Sequence, residues 1–270
     1  MSYFPSITAL VVTYHTGPRL HECLYALKGD HDVTQIVIVD NGNPQADQDW
    51  LDRFVVTCRK ASLIRQGDNP GFGTAVNRAA RTATGEMLLV CNPDCVIKRG
   101  AMQPLVAAYR GAPHPAIIGG RIFDLKGRET RGARRNTLTL WNALGLGKWT
   151  LEKEPQPDGP VRVGAVSGAF FLIHELDFKQ LGGFDEGYFL HVEDVDLCRR
   201  AIEMGGSVIY QPEAGALHYT STSDAPRGAV QAHKVDSLKR YFRKFAKTPA
   251  EKFAAALLVP LMGLAMRLRG

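Results

Sequence analysis

At 270 residues, with 45% hydrophobic and 22% charged side chains, the chain has the composition of an ordinary globular protein and length enough for one large α/β domain with an appendage. Its formal charge of +6 is local: from His233 to Gly270 nine Lys and Arg face only Asp236 and Glu251, a net of +7, which leaves −1 for the rest of the chain. A body without basic excess argues against nucleic-acid binding, and a basic tail argues for contact with an anionic surface, a membrane first.

The five cysteines (Cys23, Cys58, Cys91, Cys95, Cys198) are scattered and form no Cys-x-x-Cys. Neither a disulfide framework nor a zinc site is indicated, and a reducing cytoplasm fits. The first apolar run, Ile7 to Val12, lacks the basic flank and small-residue cleavage site of a signal peptide, so no export is implied.

In chain order, Ile7 to Thr13 is a continuous apolar, β-rich run, followed by a Gly17-Pro18 break and a helical stretch from Leu20 to Leu27. Gln35 to Asp40 repeats the plan, ending in the polar loop Asp40-Asn41-Gly42-Asn43. A third strand is expected near Ser62 to Ile64, a helix over about 73–82, and a fourth buried strand from Glu86 to Cys91 that runs into Asn92-Pro93-Asp94. Apolar strands alternating with helices predict a largely parallel sheet covered on both faces. Ligands in such sheets bind beyond the carboxyl ends of the strands, where Thr13, Asp40 and Asp94 fall.

Asn69 to Asn77 is glycine-rich but is no dinucleotide fingerprint, because Val76 stands at the third glycine position. No Walker A sequence is present, which removes ATPase chemistry. The segment reads either as a turn whose amides, with Asn69 and Asn77, contact a nucleotide, or as a plain helix start. Asp94 reads either as a turn starter or as a carboxylate that, with substrate diphosphate oxygens, holds Mg²⁺ or Mn²⁺.

From Asp124 to Val163 the text becomes rich in Arg, Gly and Pro, with a helical patch near Leu138 to Leu146. So long a connection is a functional lid or a disordered insert. As a lid, Arg128 to Arg135 would close over a diphosphate. Val166 to Ile173 returns to strand, and Ser167, Gly168 and Ala169 are small enough to admit a ligand near the backbone. Ser207 to Tyr210 is a short strand, with His218 beyond it.

The densest signal lies between these two strands. Gly182 to Arg200 packs five carboxylates (Asp185, Glu186, Glu193, Asp194, Asp196) among Phe184, Tyr188 and Phe189 and runs into a helix from Glu193 or Asp194. Crowded like charges beside aromatics raise one another's pKa, which suits a proton acceptor near neutral pH. The plain alternative, carboxylates complementing a helix N-terminus, leaves Asp185, Glu186 and the aromatics unexplained.

Strand-Asp40-Asn41, Asn-x-Gly-Phe-Gly-x-Ala-x-Asn, Leu-Leu-Val-Cys-Asn-Pro-Asp and the acidic motif, in that order over most of Ile7 to His218, resemble family 2 glycosyltransferases of the GT-A fold. More narrowly, the chain is similar to bacterial rhamnosyltransferases of O-antigen and cell-wall assembly. The resemblance implies that Asp40 binds the pyrimidine base, with Thr13 and Asn69 lining the nucleotide pocket. It makes Asp94 the metal-binding acid, with Asn92 standing where the family's motif has its first Asp, and Asp194 the catalytic base. Asp185, Glu186 and Glu193 would face the acceptor. His218 stands where related transferases place a metal-ligating histidine; a structural histidine is the alternative. One displacement, with the base opposite a nucleoside diphosphate leaving group, inverts the anomeric carbon. The implied donor is dTDP-β-L-rhamnose and the acceptor a lipid-linked saccharide; a UDP-galactofuranose or UDP-hexose donor and a non-catalytic nucleotide-sugar-binding scaffold are the alternatives.

Residues 1–225 are thus expected to form the GT-A domain and 226–270 a helical tail. Val235, Leu238, Phe242 and Phe245 recur at helical spacing among basic residues. Phe253 to Met266 is apolar but short of the ~20 residues of a membrane span. The tail is expected to lie on the cytoplasmic face of the inner membrane, with packing on the domain as the alternative.

Overall fold

Seven consecutive buried residues, most of them apolar, form the strand at the centre of the parallel half of the sheet, and only a sheet covered on both faces buries such a run. The structure, a computed structural model, describes residues 3–219 and 227–268. In chain order its elements are β1 (Ile7–Thr13), α1 (Arg19–Gly29), β2 (Val33–Asp40), α2 (Gln45–Thr57), β3 (Ala61–Arg65), α3 (Phe72–Ala80), β4 (Met87–Cys91), β5 (Cys95–Ile97) and α4 (Met102–Arg110). They continue with β6 (Ala116–Phe123), β7 (Arg134–Arg135), α5 (Leu140–Ala143), β8 (Val161–Arg162), β9 (Ala165–Val166), β10 (Phe170–His174) and α6 (Glu175–Gln180). The last are α7 (Glu193–Glu203), β11 (Ser207–His218), α8 (Arg227–Phe245) and α9 (Pro249–Leu268).

The main sheet runs β3-β2-β1-β4-β10-β6-β11-β5, with β8 beside β11. Its first four strands are parallel, as the strand–helix alternation predicts. The other half is mixed, because β10 enters antiparallel to both β4 and β6. The expected strand from Val166 to Ile173 is two pieces, β9 and β10, around a turn at Ser167 to Ala169. The short strand expected at Ser207 to Tyr210 runs on to His218, with the register shifting between Gln211 and Gly215. That irregularity lets Pro212, which has no amide to donate, sit within a strand.

The connection after Asp124 is an ordered arm. β7 pairs with β9, and Arg134 is buried on Glu129 while also donating to the carbonyls of Glu154 and Pro155. Arg128 closes a local exposed pair with Asp124. Two of the four arginines expected over a diphosphate, Arg134 and Arg135, are therefore buried in contacts within the protein.

The first tail helix also differs from its membrane expectation. α8 buries Val235, Leu238, Tyr241 and Phe242, and Ser237 donates to the carbonyl of Leu190 at 3.0 Å. Arg240 and Lys244 pair with Asp185, and Lys244 also with Asp196. The apolar stripe and two of its cations thus dock on the acidic motif. The boundary expected between 225 and 226 lies outside the described residues. Among those described, no helix is long and apolar enough to cross a membrane.

Candidate functional site

At their carboxyl ends β1 and β2 finish in register, Thr13 opposite Asp40. Asp40 Oδ1 accepts from the amides of Gly42 and Asn43 and from Asn43 Nδ2, at 2.7 to 3.0 Å, so it builds the turn that follows the strand. Its Oδ2 makes no hydrogen bond among the described residues. The Thr13 hydroxyl is spent inward on Thr16 and Asn43. Asn69 Oδ1 accepts from Asn41 Nδ2 at 3.2 Å, which ties Asn69 to the same end of the sheet.

Asn77 does not join them. Its Nδ2 donates to the Phe184 carbonyl at 2.8 Å and to Glu186 at 3.0 Å, and its Oδ1 accepts the Phe184 amide at 2.8 Å. The Phe72 amide donates to the Phe189 carbonyl. A Cβ on Gly71, whose φ is +92°, would sit 2.4 Å from that same oxygen. The glycine-rich segment, read as a nucleotide-contacting turn or a plain helix start, clamps the acidic loop through Gly71, Phe72 and Asn77, while its Asn69 stays beside Asn41.

The metal expectation has a clear geometric basis. β5 and β11 run antiparallel with Cys95 opposite His218, which brings His218 Nε2 to 3.2 Å from Asp94 Oδ1. Donor atoms of Asp94, Cys95 and His218 lie within 4.8 Å of one another. His218 Nδ1 is buried without a hydrogen-bond partner. A hard carboxylate oxygen and an imidazole in a water-poor corner suit a divalent cation.

The turn at Ser167 to Ala169 joins this corner to the acidic motif. The Ala169 carbonyl accepts the Asn92 amide at 2.9 Å, and the Gly168 amide donates to Asp194 Oδ2 at 2.9 Å. A Cβ on Gly168 would stand 3.2 Å from the Asp194 Cβ. Its small size admits the Asp194 side chain, where the sequence reading had a ligand.

Within the motif the five carboxylates divide. Asp185, expected at the acceptor, is taken by Arg240 and Lys244. Burial would raise its pKa, but hydrogen bonds from those two cations and the Gly187 amide outweigh it and hold the group well below the usual carboxylate range. Asp196 is fully buried, held by Tyr188, Arg200 and Lys244. Glu186 is exposed and rests on Asn77. Glu193 is buried with Oε2 unpartnered, and burial, then the charge of Asp194, pushes its pKa up. Asp194 goes the other way: burial opposes ionisation, but the charge and hydrogen bond of Arg135 and the amides of Gly168 and Val195 prevail.

Two consecutive left-handed residues, His191 at φ +68° and Val192 at φ +72°, set up this split. That conformation is an outlier for a β-branched residue and costs about 1–3 kcal/mol per site. The flanking clamps on Phe189 and Leu190 hold it, and α7 starts with Asp194 turned to Arg135. A positive rim lies nearby. His191 is lowered by burial and then Lys234, and Lys234 by burial and then Arg131 and Arg135. Sequence reasoning placed Arg135 over a diphosphate and did not foresee its pairing with Asp194 or the bonds of Asn77 to Phe184; no local pattern marks a residue whose partner is 59 or 107 positions away.

Residues 8–175 match the family model described as glycosyl transferase family 2. The chain belongs to that family. It is 40% identical over 218 residues to rhamnosyltransferase WbbL of Escherichia coli (strain K12), covering 78% of this chain and 82% of that protein. It is 30% identical over 258 residues to an N-acetylglucosaminyl-diphospho-decaprenol L-rhamnosyltransferase of Mycobacterium tuberculosis (strain ATCC 25618 / H37Rv), covering 84% and 81%. Among solved structures it is similar to GalNAc-T7 with UDP, GalNAc and Mn²⁺, with a TM-score of 0.74 at 16% identity over 98% of this chain. It spans about half of that protein, 54%. A mannosyltransferase from Pyrobaculum calidifontis, in complex with GDP-Man and Mn²⁺, gives 0.62 at 16% identity over 99% and 74%. These two likenesses show the GT-A fold.

Proposed function

We propose that this glycosyltransferase moves L-rhamnose from dTDP-β-L-rhamnose to a hydroxyl of a lipid-linked saccharide in bacterial surface polysaccharide synthesis, in one inverting displacement. The observation that carries the reading is the three-residue turn at Ser167 to Ala169, flanked by the Asp94–His218 corner on one side and the ionised Asp194 on the other. The names of the two rhamnosyltransferase relatives support the choice of sugar.

Asp40 and Asn69 would bind the nucleotide, and Asp94 and His218 would hold Mg²⁺ or Mn²⁺. Such a cation supplies charge neutralisation on the departing diphosphate. Asp194 removes the proton from the acceptor hydroxyl as that oxygen attacks the anomeric carbon. Glu186 and Glu193 remain candidates for the acceptor side, and Asp185 leaves that list because it is bound to α8. The rim of Arg131 and Lys234 supports an anionic acceptor, such as a saccharide on a lipid diphosphate.

The membrane reading now rests on α9. Phe253 and Leu257 are exposed there, 69% and 53%, while the stripe of α8 is covered. α9 would lie in the interface at the cytoplasmic face of the inner membrane, bringing the site to its acceptor. Binding to anionic liposomes should be lost in a chain ending at Thr248; binding that survives would exclude α9.

The donor is tested by measuring nucleoside diphosphate release from dTDP-β-L-rhamnose, UDP-galactofuranose and UDP-hexoses, with Mg²⁺ or Mn²⁺ and a lipid-linked N-acetylglucosamine acceptor. Fastest release from dTDP-rhamnose is expected. A preference for a UDP-sugar reassigns the donor, and no release from any donor leaves a nucleotide-sugar-binding scaffold.

A further inference from the structure

The arm between β6 and β9 carries one side chain that the reaction scheme above does not use. Arg135 leaves β7 opposite Ala165 of β9, and its carbonyl accepts the Gly164 amide at 2.8 Å. Its root is therefore fixed to the strand that leads into the Ser167 to Ala169 turn. Nη2 donates to Asp194 Oδ2 and to the Val166 carbonyl, both at 2.6 Å, and the guanidinium lies 5.8 Å from the Trp149 ring. The side chains of Arg135 and Asp194 are only 9% and 14% exposed, so solvent screens this pair little.

The bonds on Asp194 are unequal. Oδ2 accepts two, from Arg135 and from the Gly168 amide. Oδ1 accepts one among the described residues, from the Val195 amide at 2.8 Å. A carboxylate oxygen offers two acceptor positions, so Oδ2 is full and Oδ1 keeps one open.

We propose that Arg135 is a positioning residue for sugar transfer, locking the Asp194 carboxylate so that Oδ2 is saturated and Oδ1 is the atom that takes the acceptor proton. In the step, the acceptor O–H bond breaks and its proton goes to Oδ1. The acceptor oxygen bonds to the anomeric carbon, and the bond from that carbon to the diphosphate oxygen breaks with its electron pair leaving on the diphosphate. Arg135 touches none of these atoms; it acts through Asp194. The inference rests on Asp194 being the base.

A merely structural Arg135 would tie the arm to α7 and affect stability alone. The positioning role makes a separate claim about pH. With Arg135 present, the acid limb that Asp194 contributes to kcat/KM lies below the ordinary carboxylate value. Arg135→Met removes the charge that opposes burial, so the limb should move up by about one to three pH units. Its kcat should also fall by about a hundredfold, the effect of a carboxylate misplaced by about 1 Å. Arg135→Lys keeps the charge without the planar fork, so the limb should stay acid while kcat recovers only in part.

The experiment measures kcat/KM against pH for the wild type, both Arg135 variants and Asp194→Asn, with nucleoside diphosphate binding followed in each. A limb in Arg135→Met unchanged from the wild type overturns the proposal while leaving Asp194 as the base. Near wild-type turnover in Asp194→Asn overturns the base reading itself. If Arg135→Met does not fold, Arg135→Lys decides: a limb shifted as far as loss of the charge would shift it overturns the proposal.

Discussion

The parallel half of the sheet and the half that holds the acidic motif satisfy their polar groups in opposite ways. At the end of β2, Asp40 finds partners two and three residues on, in Gly42 and Asn43. At the start of α7, Asp194 is held by Arg135, 59 positions away, while Asp185 reaches Arg240 and Lys244, 55 and 59 positions away. The first half closes its turn at Asp40 with local partners, and the second relies on ion pairs that exist only once the arm and α8 are docked. In this second place Asp194 is held ionised by Arg135 and two amides, while burial and the charge of Asp194 push its neighbour Glu193 the other way.

The largest effect is expected where that separation is used. Asp194→Asn should lower turnover by about two to four powers of ten with nucleotide binding intact. Steady-state rates beside a nucleotide titration check it. Gly168→Ala should come next: its methyl group would meet the Asp194 Cβ at 3.2 Å and push the base off position. A loss of about tenfold to a hundredfold in kcat is expected, with the melting temperature showing that the fold survives.

Asp185→Asn should do the reverse, sparing the chemistry and loosening α8. The expected cost is about 1–3 kcal/mol, from the hydrogen bonds of two cations, read from denaturant unfolding. The sign with pH follows from the lowered pKa of Asp185. Its stabilising contribution is fully present above the unfolded carboxylate value of about 3.9 and is lost as pH falls through the lower folded value. The wild type should therefore lose stability in acid more steeply than Asp185→Asn. Equal activity loss in the Asp185 and Asp194 variants would erase the distinction between them.

The smallest effect is expected at Arg128, whose pair with Asp124 is exposed. Arg128→Ala should change stability by less than about 0.5 kcal/mol and leave nucleotide affinity unchanged. Weakened donor binding there would restore an arm that closes over the diphosphate.

How much was legible follows the same division. The apolar runs of β1, β2 and β4 and the polar turns after them announced the parallel half and the place of Asp94 at its strand ends. The acidic motif was visible as a cluster, yet composition made its five carboxylates look like one site. Asp185 and Asp196 serve the docking of α8, a partner that spacing does not reveal. The stripe of Val235, Leu238 and Phe242 has the same pattern whether it meets lipid or protein, and burial on the domain decided it. Arg135 sat in text rich in Arg and Gly that reads as a lid or a disordered insert, since the pairing of β7 with β9 involves only two residues on each side. The strand Ala116–Phe123 was not expected, although seven of its eight residues are apolar or glycine, because the Gly119-Gly120 pair at its centre reads as a turn.

The central claim is a single displacement by a hydroxyl that gives its proton to Asp194. The direct measurement is the anomeric configuration of the product made from dTDP-β-L-rhamnose, read from the one-bond C1–H1 coupling in NMR. An α-L-rhamnoside is predicted; a β-L-rhamnoside would mean retention, and would contradict both the single displacement and the role of Asp194 as its base.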